Sequence, residues 1–228
     1  MKIDPHIHSI YSGDSNSQVK DILKQAQKVG LNAIAISDHN TVKGSKFAIK
    51  ESKNMDNLLV VPSIEISTYS GHILGFGVTE NIPKGKSAIE TVERIRDLGG
   101  LAIIPHPYSY YRHGLFTKID DNLSNDGVET LNARYIIGYS NSHAKELSKN
   151  KNLARFGSSD SHFIKSIGDC YTEIDCDCNV DDILDAIQKK KTTPKGKKTS
   201  NFRVLGNVIK RKLKRSKTIP NEVSEIEQ

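Results

Sequence analysis

The chain has 228 residues, of which 26% are charged and 36% hydrophobic, enough for one domain with a sizeable core and a short appendage. No apolar run approaches the ~18 residues a bilayer span needs. The first residues lack a basic stretch leading into an apolar one, so neither a membrane span nor a secretory leader is expected, and a cytoplasmic protein is.

The opening segment, MKIDPHIHSIYSGDS, reads as a strand that ends on His6 and His8, with Asp14 in a glycine-containing turn. Residues 17–30 place Val19, Ile22, Leu23, Ala26 and Val29 on one helical face, with Gly30 as C-cap. NAIAISDHN is a buried strand closing on Asp38 and His39, and Thr41–Ser52 reads as helix. LLVVPSIEIS and HILGFGV follow as strands bearing Glu65 and His72. A helix near Ser87–Leu98 stops at the Gly99-Gly100 pair. LAIIPHP ends in His106, and GVETLN is a further strand. A helix near Ser140–Lys149 precedes ARFGSSDSH, which carries Asp160 and His162, and VDDILDAIQKK is a late amphipathic helix. Cys170, Cys176 and Cys178 cluster in one segment, too few and too close for a disulfide framework and one ligand short of a zinc pattern.

Apolar strands separated by helices predict a largely parallel sheet covered on both faces, either a βα barrel or a related open α/β sheet. Functional groups in such folds gather where strands end at their C-terminal edge. Six of the eight histidines fall at such edges beside acids, and only His113 and His143 lie elsewhere.

Alternate residues of a strand point the same way, so His6 and His8 share a side, as do Asp160 and His162. An isolated H-x-H pair is more often a surface or hydrogen-bonded core feature. Many imidazoles and carboxylates at strand ends would compete for too few partners if buried without an ion. Imidazole with carboxylate and no thiolate suits Mn, Fe or Zn better than Ca or Mg.

The segments DPHIHSIYSGDS, AISDHNT, PSIEIS, GHILGFG, IIPHP and SSDSH, spread over residues 1–162, resemble the polymerase and histidinol phosphatase (PHP) family of metal-dependent phosphoesterases. The resemblance implies a distorted seven-stranded (β/α)7 TIM-like barrel, assigned to residues 1–194, and the residues at 195–228 are read from their charge as a basic tail. The resemblance also implies two or three divalent ions at the strand ends. His6, His8, Glu65 and Asp160 would hold one ion. Glu65 would bridge to a second, completed by His72 and His106. Asp14, His39 and His162 would hold a third, with Asp14 standing where some relatives have histidine. Asn132 is assigned no ion.

Closely spaced divalent ions lower the pKa of a shared water and neutralise phosphate oxygens, so the expected chemistry is phosphoester hydrolysis without a protein nucleophile. A His or Asp of the third group (Asp14, His39, His162) would protonate the leaving oxygen. Arg112 and Arg134 are the candidates for binding substrate phosphate, since guanidinium forks suit it, and a surface arginine is the alternative for each. Tyr108, Tyr110 and Tyr111 suit either base stacking or closure of the rim. Only 33 residues lie between His72 and His106, which leaves no room for an inserted subdomain and weakens any nucleotide-specific reading.

The formal charge of +6 is uneven: residues 189–217 carry thirteen Lys/Arg and no acid, and residues 1–188 hold twenty Lys/Arg against twenty-four Asp/Glu. Phe202, Leu205, Val208, Ile209 and Leu213 repeat at helical spacing within the basic segment. Such a helix either packs on the body or serves as an arm for nucleic acid or anionic membrane. The expected substrate is a small phosphorylated metabolite or nucleotide. The alternatives are a nuclease using the tail as its nucleic-acid arm, a histidinol-phosphate phosphatase, and a non-catalytic nucleic-acid-binding module. A degenerate module would be expected to have lost ligands, and none is missing.

Overall fold

The computed structural model describes residues 1–109, 114, 123, 125–135 and 139–206. In chain order the elements are β1 (Lys2–Ile7), α1 (Val19–Lys28), β2 (Ala33–Ile36), α2 (Lys43–Ser52), β3 (Leu59–Val60), β4 (Ser63–Ser67), β5 (His72–Phe76) and α3 (Ala88–Asp97). They continue as β6 (Leu101–Ile104), β7 (Gly127–Asn132), α4 (Tyr139–Asn150), β8 (Ala154–Ser158), β9 (Cys170–Ile174), α5 (Val180–Gln188) and β10 (Thr192–Gly196).

The strands form two five-stranded sheets, ordered β10-β9-β1-β2-β3 and β4-β5-β6-β7-β8. This corrects the expected seven-stranded barrel: among the described residues the ladders do not close, and the sheets are mixed. The physical cause lies in two hairpins. β4 and β5 are joined by a turn in which the Thr68 amide donates to the Gly71 carbonyl, too short for the crossover that parallel strands need, so they pair antiparallel. β9 enters antiparallel beside β1, and β10 then pairs antiparallel with β9. Parallel pairing survives at β1-β2, β2-β3, β6-β7 and β7-β8. Within LLVVPSIEIS, β3 belongs to the first sheet and β4 to the second, with Pro62 between them.

Strand sequences that are apolar throughout make sense in this frame, because both faces are covered. In β2, Ala33 and Ala35 enter the core between the sheets, whereas Ile34 and Ile36 pack outward against α1 and α2. In β6, Leu101 and Ile103 point inward, and Ala102 and Ile104 meet α3. Ile183, Ala186 and Ile187 of α5 join the same inter-sheet core, where the Phe76 and Phe156 rings lie 6.4 Å apart. Truncating either ring to alanine is expected to cost about 3–5 kcal/mol.

α3 begins with a capping box: the Ser87 hydroxyl accepts from the Glu90 amide, and the Glu90 carboxylate accepts from the Ser87 amide. The basic run starts inside the folded body, since β10 includes Lys195 and pairs with β9. Beyond it, Thr199 hydrogen-bonds to the Ala133 carbonyl and the Asp169 carboxylate. Phe202 and Leu205 are 89% and 59% exposed, and Val208, Ile209 and Leu213 of the same proposed stripe lie outside the described residues. No helix among the described residues is long and apolar enough to cross a membrane.

Candidate metal centre

Isolated bridges join the two sheets at one end of the strands, pairing Ile7 with Ser161 and His39 with Glu65. The His8 amide donates to the Ser161 carbonyl at 2.8 Å, and the Asn40 amide donates to the Glu65 carbonyl at 2.8 Å. These bonds set the register between the sheets at the point where the histidines and acids emerge.

His6 and His8 end β1, His39 follows β2, Glu65 lies in β4, His72 opens the antiparallel β5, His106 follows β6, and Asp160 and His162 follow β8. All converge. Glu65 is their hub: Oε1 lies 2.9 Å from His72 Nδ1 and 3.1 Å from His106 Nε2. Its Oε2 lies 3.3 Å from His6 Nε2, 3.3 Å from His8 Nε2 and 3.2 Å from His39 Nδ1. His8 Nε2 is 3.7 Å from Asp160 Oδ1, and Asp14 Oδ2 is 2.7 Å from His162 Nε2 and 3.6 Å from His39 Nε2.

Side chains are forced into this arrangement at some cost. His106 and Asp160 have φ of +29° and +48°, a region that non-glycine residues seldom occupy. Strain of this kind persists where the surroundings over-determine it, as at ligand clamps.

Burial sets the electrostatics. Burial alone would drive the His6 pKa down, but the carboxylates of Glu129, Asp160 and Glu65 outweigh it and hold the pKa well above the ordinary histidine value. His39 is likewise raised to about 9, with Glu65 and Asp14 overcoming burial. His8 has no such surplus: burial and the neighbouring His162 push it down to about 3, leaving it neutral. Burial and then Arg134 lower His162. Burial would raise Glu65 and Asp14, yet the surrounding imidazoles keep both ionised and well below the usual carboxylate range.

The donor set fits divalent ions. Donor atoms fall into overlapping groups in which each lies within 4.8 Å of the others: His8, Asp14, His39 and His162; His6, His8 and Asp160; His39, Glu65 and His72. His6 Nε2 and His8 Nε2 approach to 2.9 Å, a spacing that either a shared proton or a shared cation requires. Ionised carboxylates and the neutral His8 supply electron pairs, and no thiol takes part.

Behind these donors stand supports that the structure brings to light. Glu129, in β7 and fully buried, accepts through Oε1 from His6 Nδ1 at 2.7 Å and the Ser158 hydroxyl at 2.5 Å. Its Oε2 accepts from the His106 amide and from Asn132 Nδ2, each at 2.8 Å. By accepting from His6 Nδ1, Glu129 turns Nε2 toward the cage, a carboxylate–histidine arrangement that raises ligand basicity. Glu129 as the one acid of the strand GVETLN was the available signal.

Asp38 braces the turn after His8, whose own Nδ1 lies 3.0 Å from the Ser12 hydroxyl. The Asp38 carboxylate accepts from the Ser9 amide and the Ser9 hydroxyl, each at 2.6 Å, and burial pushes its pKa up to about 7 against those bonds. Gly44 permits this contact, because a Cβ there would collide with Asp38 Oδ2 and Ser9 Oγ.

Arg134 reaches the rim. Its Nη1 lies 2.8 Å from His162 Nδ1 and 3.4 Å from Asp160 Oδ1. Asn132 bridges Glu129 and Asp160 through Nδ2, at 2.8 and 3.1 Å. Tyr108 meets His143 edge-on at 5.5 Å. Arg112, Tyr110, Tyr111 and His113 lie outside the described residues.

The chain is similar to known proteins in sequence and in fold. Residues 4–77 match the family model described as PHP domain, and residues 138–192 match the model described as PHP-associated. An uncharacterised protein of Methanocaldococcus jannaschii is 44% identical over 154 residues, covering 63% of this chain and 89% of that protein. A phosphoribosyl 1,2-cyclic phosphate 1,2-diphosphodiesterase of Eggerthella lenta is 35% identical over 86 residues, covering 35% of this chain and 32% of that enzyme.

Among solved structures, a two-domain protein of Bacteroides vulgatus containing a predicted PHP-like metal-dependent phosphoesterase has a TM-score of 0.71 at 18% identity. The alignment covers 86% of this chain and 65% of that one. Endonuclease Q, in complex with a duplex bearing an abasic lesion, has a TM-score of 0.63 at 19% identity, covering 82% of this chain and 56% of that one. The chain belongs to the PHP family of metal-dependent phosphoesterases.

Proposed function

We propose that this chain hydrolyses the phosphate ester of a small metabolite or nucleotide, as a monoester or a diester, using two or three ions of Mn, Fe or Zn. The observation that carries this reading is the convergence of Glu65 with imidazoles from both sheets on one buried point. The similarity to a cyclic-phosphate diphosphodiesterase over part of the chain supports a small phosphodiester among the substrates.

His6, His8, Glu65 and Asp160 would hold one ion, Glu65, His72 and His106 a second, and Asp14, His39 and His162 a third. When bound, such ions supply an acidified water and neutralise phosphate oxygens. The chain's own residues orient and exchange protons. Arg134, held beside His162 and Asp160, offers its guanidinium to a phosphate oxygen. With only two ions bound, the Asp14–His162 hydrogen bond, partly open to solvent, would keep a proton where a leaving oxygen would collect it. Arg112 would add a second guanidinium. The nuclease reading needs the basic arm, whose residues 207–228 lie outside the described structure, and a likeness to Endonuclease Q at this identity speaks for the fold alone.

The test uses Mn-loaded protein with p-nitrophenyl phosphate and its bis-ester, followed by a panel of phosphomonoesters including histidinol phosphate, bisphosphonucleotides and short RNAs. His8→Ala combined with Asp160→Asn is expected to lower turnover by about 10³-fold or more. Unchanged turnover in that variant overturns the proposal.

A further inference from the structure

A second concavity, of about 690 Å³, opens at the other end of the strands. Lys2, Asn32, Arg155, Lys190, Lys191 and Thr192 line it, each from the start of a strand or from the turn after α5. Along β1, Ile3, Asp4 and Pro5 separate Lys2 at its edge from His6 of the cage, a rise of ~13 Å. Its volume is that of a small-molecule site.

Its charges are unbalanced. Glu173 and Asp175 also line it, but Glu173 is paired with Lys195 at 3.5 Å, which leaves Asp175 to face Lys2, Arg155, Lys190 and Lys191. Lys189 beside it is paired with Asp185 at 2.8 Å. Among the described residues no acid lies within ion-pair distance of Arg155, Lys190 or Lys191. Lys2 lies over the Tyr171 ring, 5.6 Å from its centroid.

Compensation of the α5 dipole explains lysines at the end of that helix. It does not explain Arg155 of β8 or Lys2 of β1 facing the same space. Lys190 also occupies a position that helices normally give to glycine: φ is +58°, with its amide bonded to the Ile187 carbonyl and the Lys191 amide to Ala186. The left-handed conformation costs a lysine about 1 kcal/mol. The turn brings Lys190 and Lys191 to the wall of the concavity.

We infer that this concavity is a binding site for a compact phosphate-bearing anion of nucleotide-diphosphate size, held by Arg155, Lys190 and Lys191. Arg155 supplies the fork for paired phosphate oxygens, and the two lysines supply point charges around it. The site is independent of the hydrolytic reading, since it shares no residue with the cage.

Equilibrium dialysis of radiolabelled ADP against metal-loaded protein tests it. Arg155→Ser with Lys191→Ser is expected to weaken ADP binding at least tenfold while leaving p-nitrophenyl phosphate turnover unchanged. In the His8→Ala/Asp160→Asn background this ADP binding is expected to persist. Pyrophosphate should compete and adenosine should not. Absence of ADP binding to the wild type at millimolar concentration overturns the proposal. So does an equal loss when exposed Lys24 and Lys28 of α1 are changed to serine instead, or the disappearance of all binding in the cage variant.

Discussion

The two ends of the strands handle charge in opposite ways. At one end, imidazoles and carboxylates are buried and lock one another by direct contact, as around Glu65. At the other, Lys2, Arg155, Lys190 and Lys191 are exposed and their charged heads remain in water. Burial makes a charge expensive unless its partners are placed before it arrives, so the first end invests in supports: Glu129, Asp38, Ser9 and Asn132. Exposure makes a charge cheap and adaptable, so the second end needs none. A preorganised cage suits ions whose coordination is exacting, and a loose ring of cations suits a ligand that brings its own charge.

That contrast predicts where substitutions hurt. Gly44→Ala, which adds only one methyl group, drives Cβ into the Asp38–Ser9 pair and is expected to cost about 2–3 kcal/mol of stability. Thermal unfolding should show the loss, and an unchanged midpoint would mean that Asp38 can move. Glu129→Gln keeps the shape but weakens the hold on His6 Nδ1, and metal affinity should fall about 10–100-fold. Competition with a chromogenic chelator measures this without recourse to turnover.

The proton balance of the cage sharpens the comparison further. His39, with its pKa raised to about 9, is protonated in the metal-free chain at neutral pH and must give up that proton to ligate. Affinity should therefore rise with pH below about 9, by up to tenfold per pH unit for each proton displaced. Calorimetry in buffers of different ionisation enthalpy counts those protons, and a count of zero would contradict the assignment of His39. At the opposite end, Lys189→Ala removes an exposed pair with Asp185 and should change stability by no more than about 0.5 kcal/mol.

Much of the cage was readable from the chain because each ligand stands out chemically against an apolar strand: His6 and His8 after KIDP, Glu65 in SIEIS, His106 after LAII. The supports were harder. Glu129 looks like one polar residue in a half-exposed strand until β6 and β8 are seen flanking β7 on both sides. The architecture was misread for a related reason. Apolar periodicity identifies strands but carries no direction, so the short β4–β5 turn and the entry of β9 beside β1 could not be foreseen. β10 escaped notice because TTPKG is basic and contains proline; it is accommodated as the edge strand of its sheet, where a missing amide donor does no harm.

The bridges from Ile7 to Ser161 and from His39 to Glu65 place the cage across the seam between the sheets. Its donors come from both sides of that seam, and the last of them, His162, lies 156 positions after the first, His6. A nascent polypeptide leaving the ribosome therefore carries H-x-H long before it can make a complete pocket. On the proposed assignment, a complete ion site forms only once translation has passed the final donors.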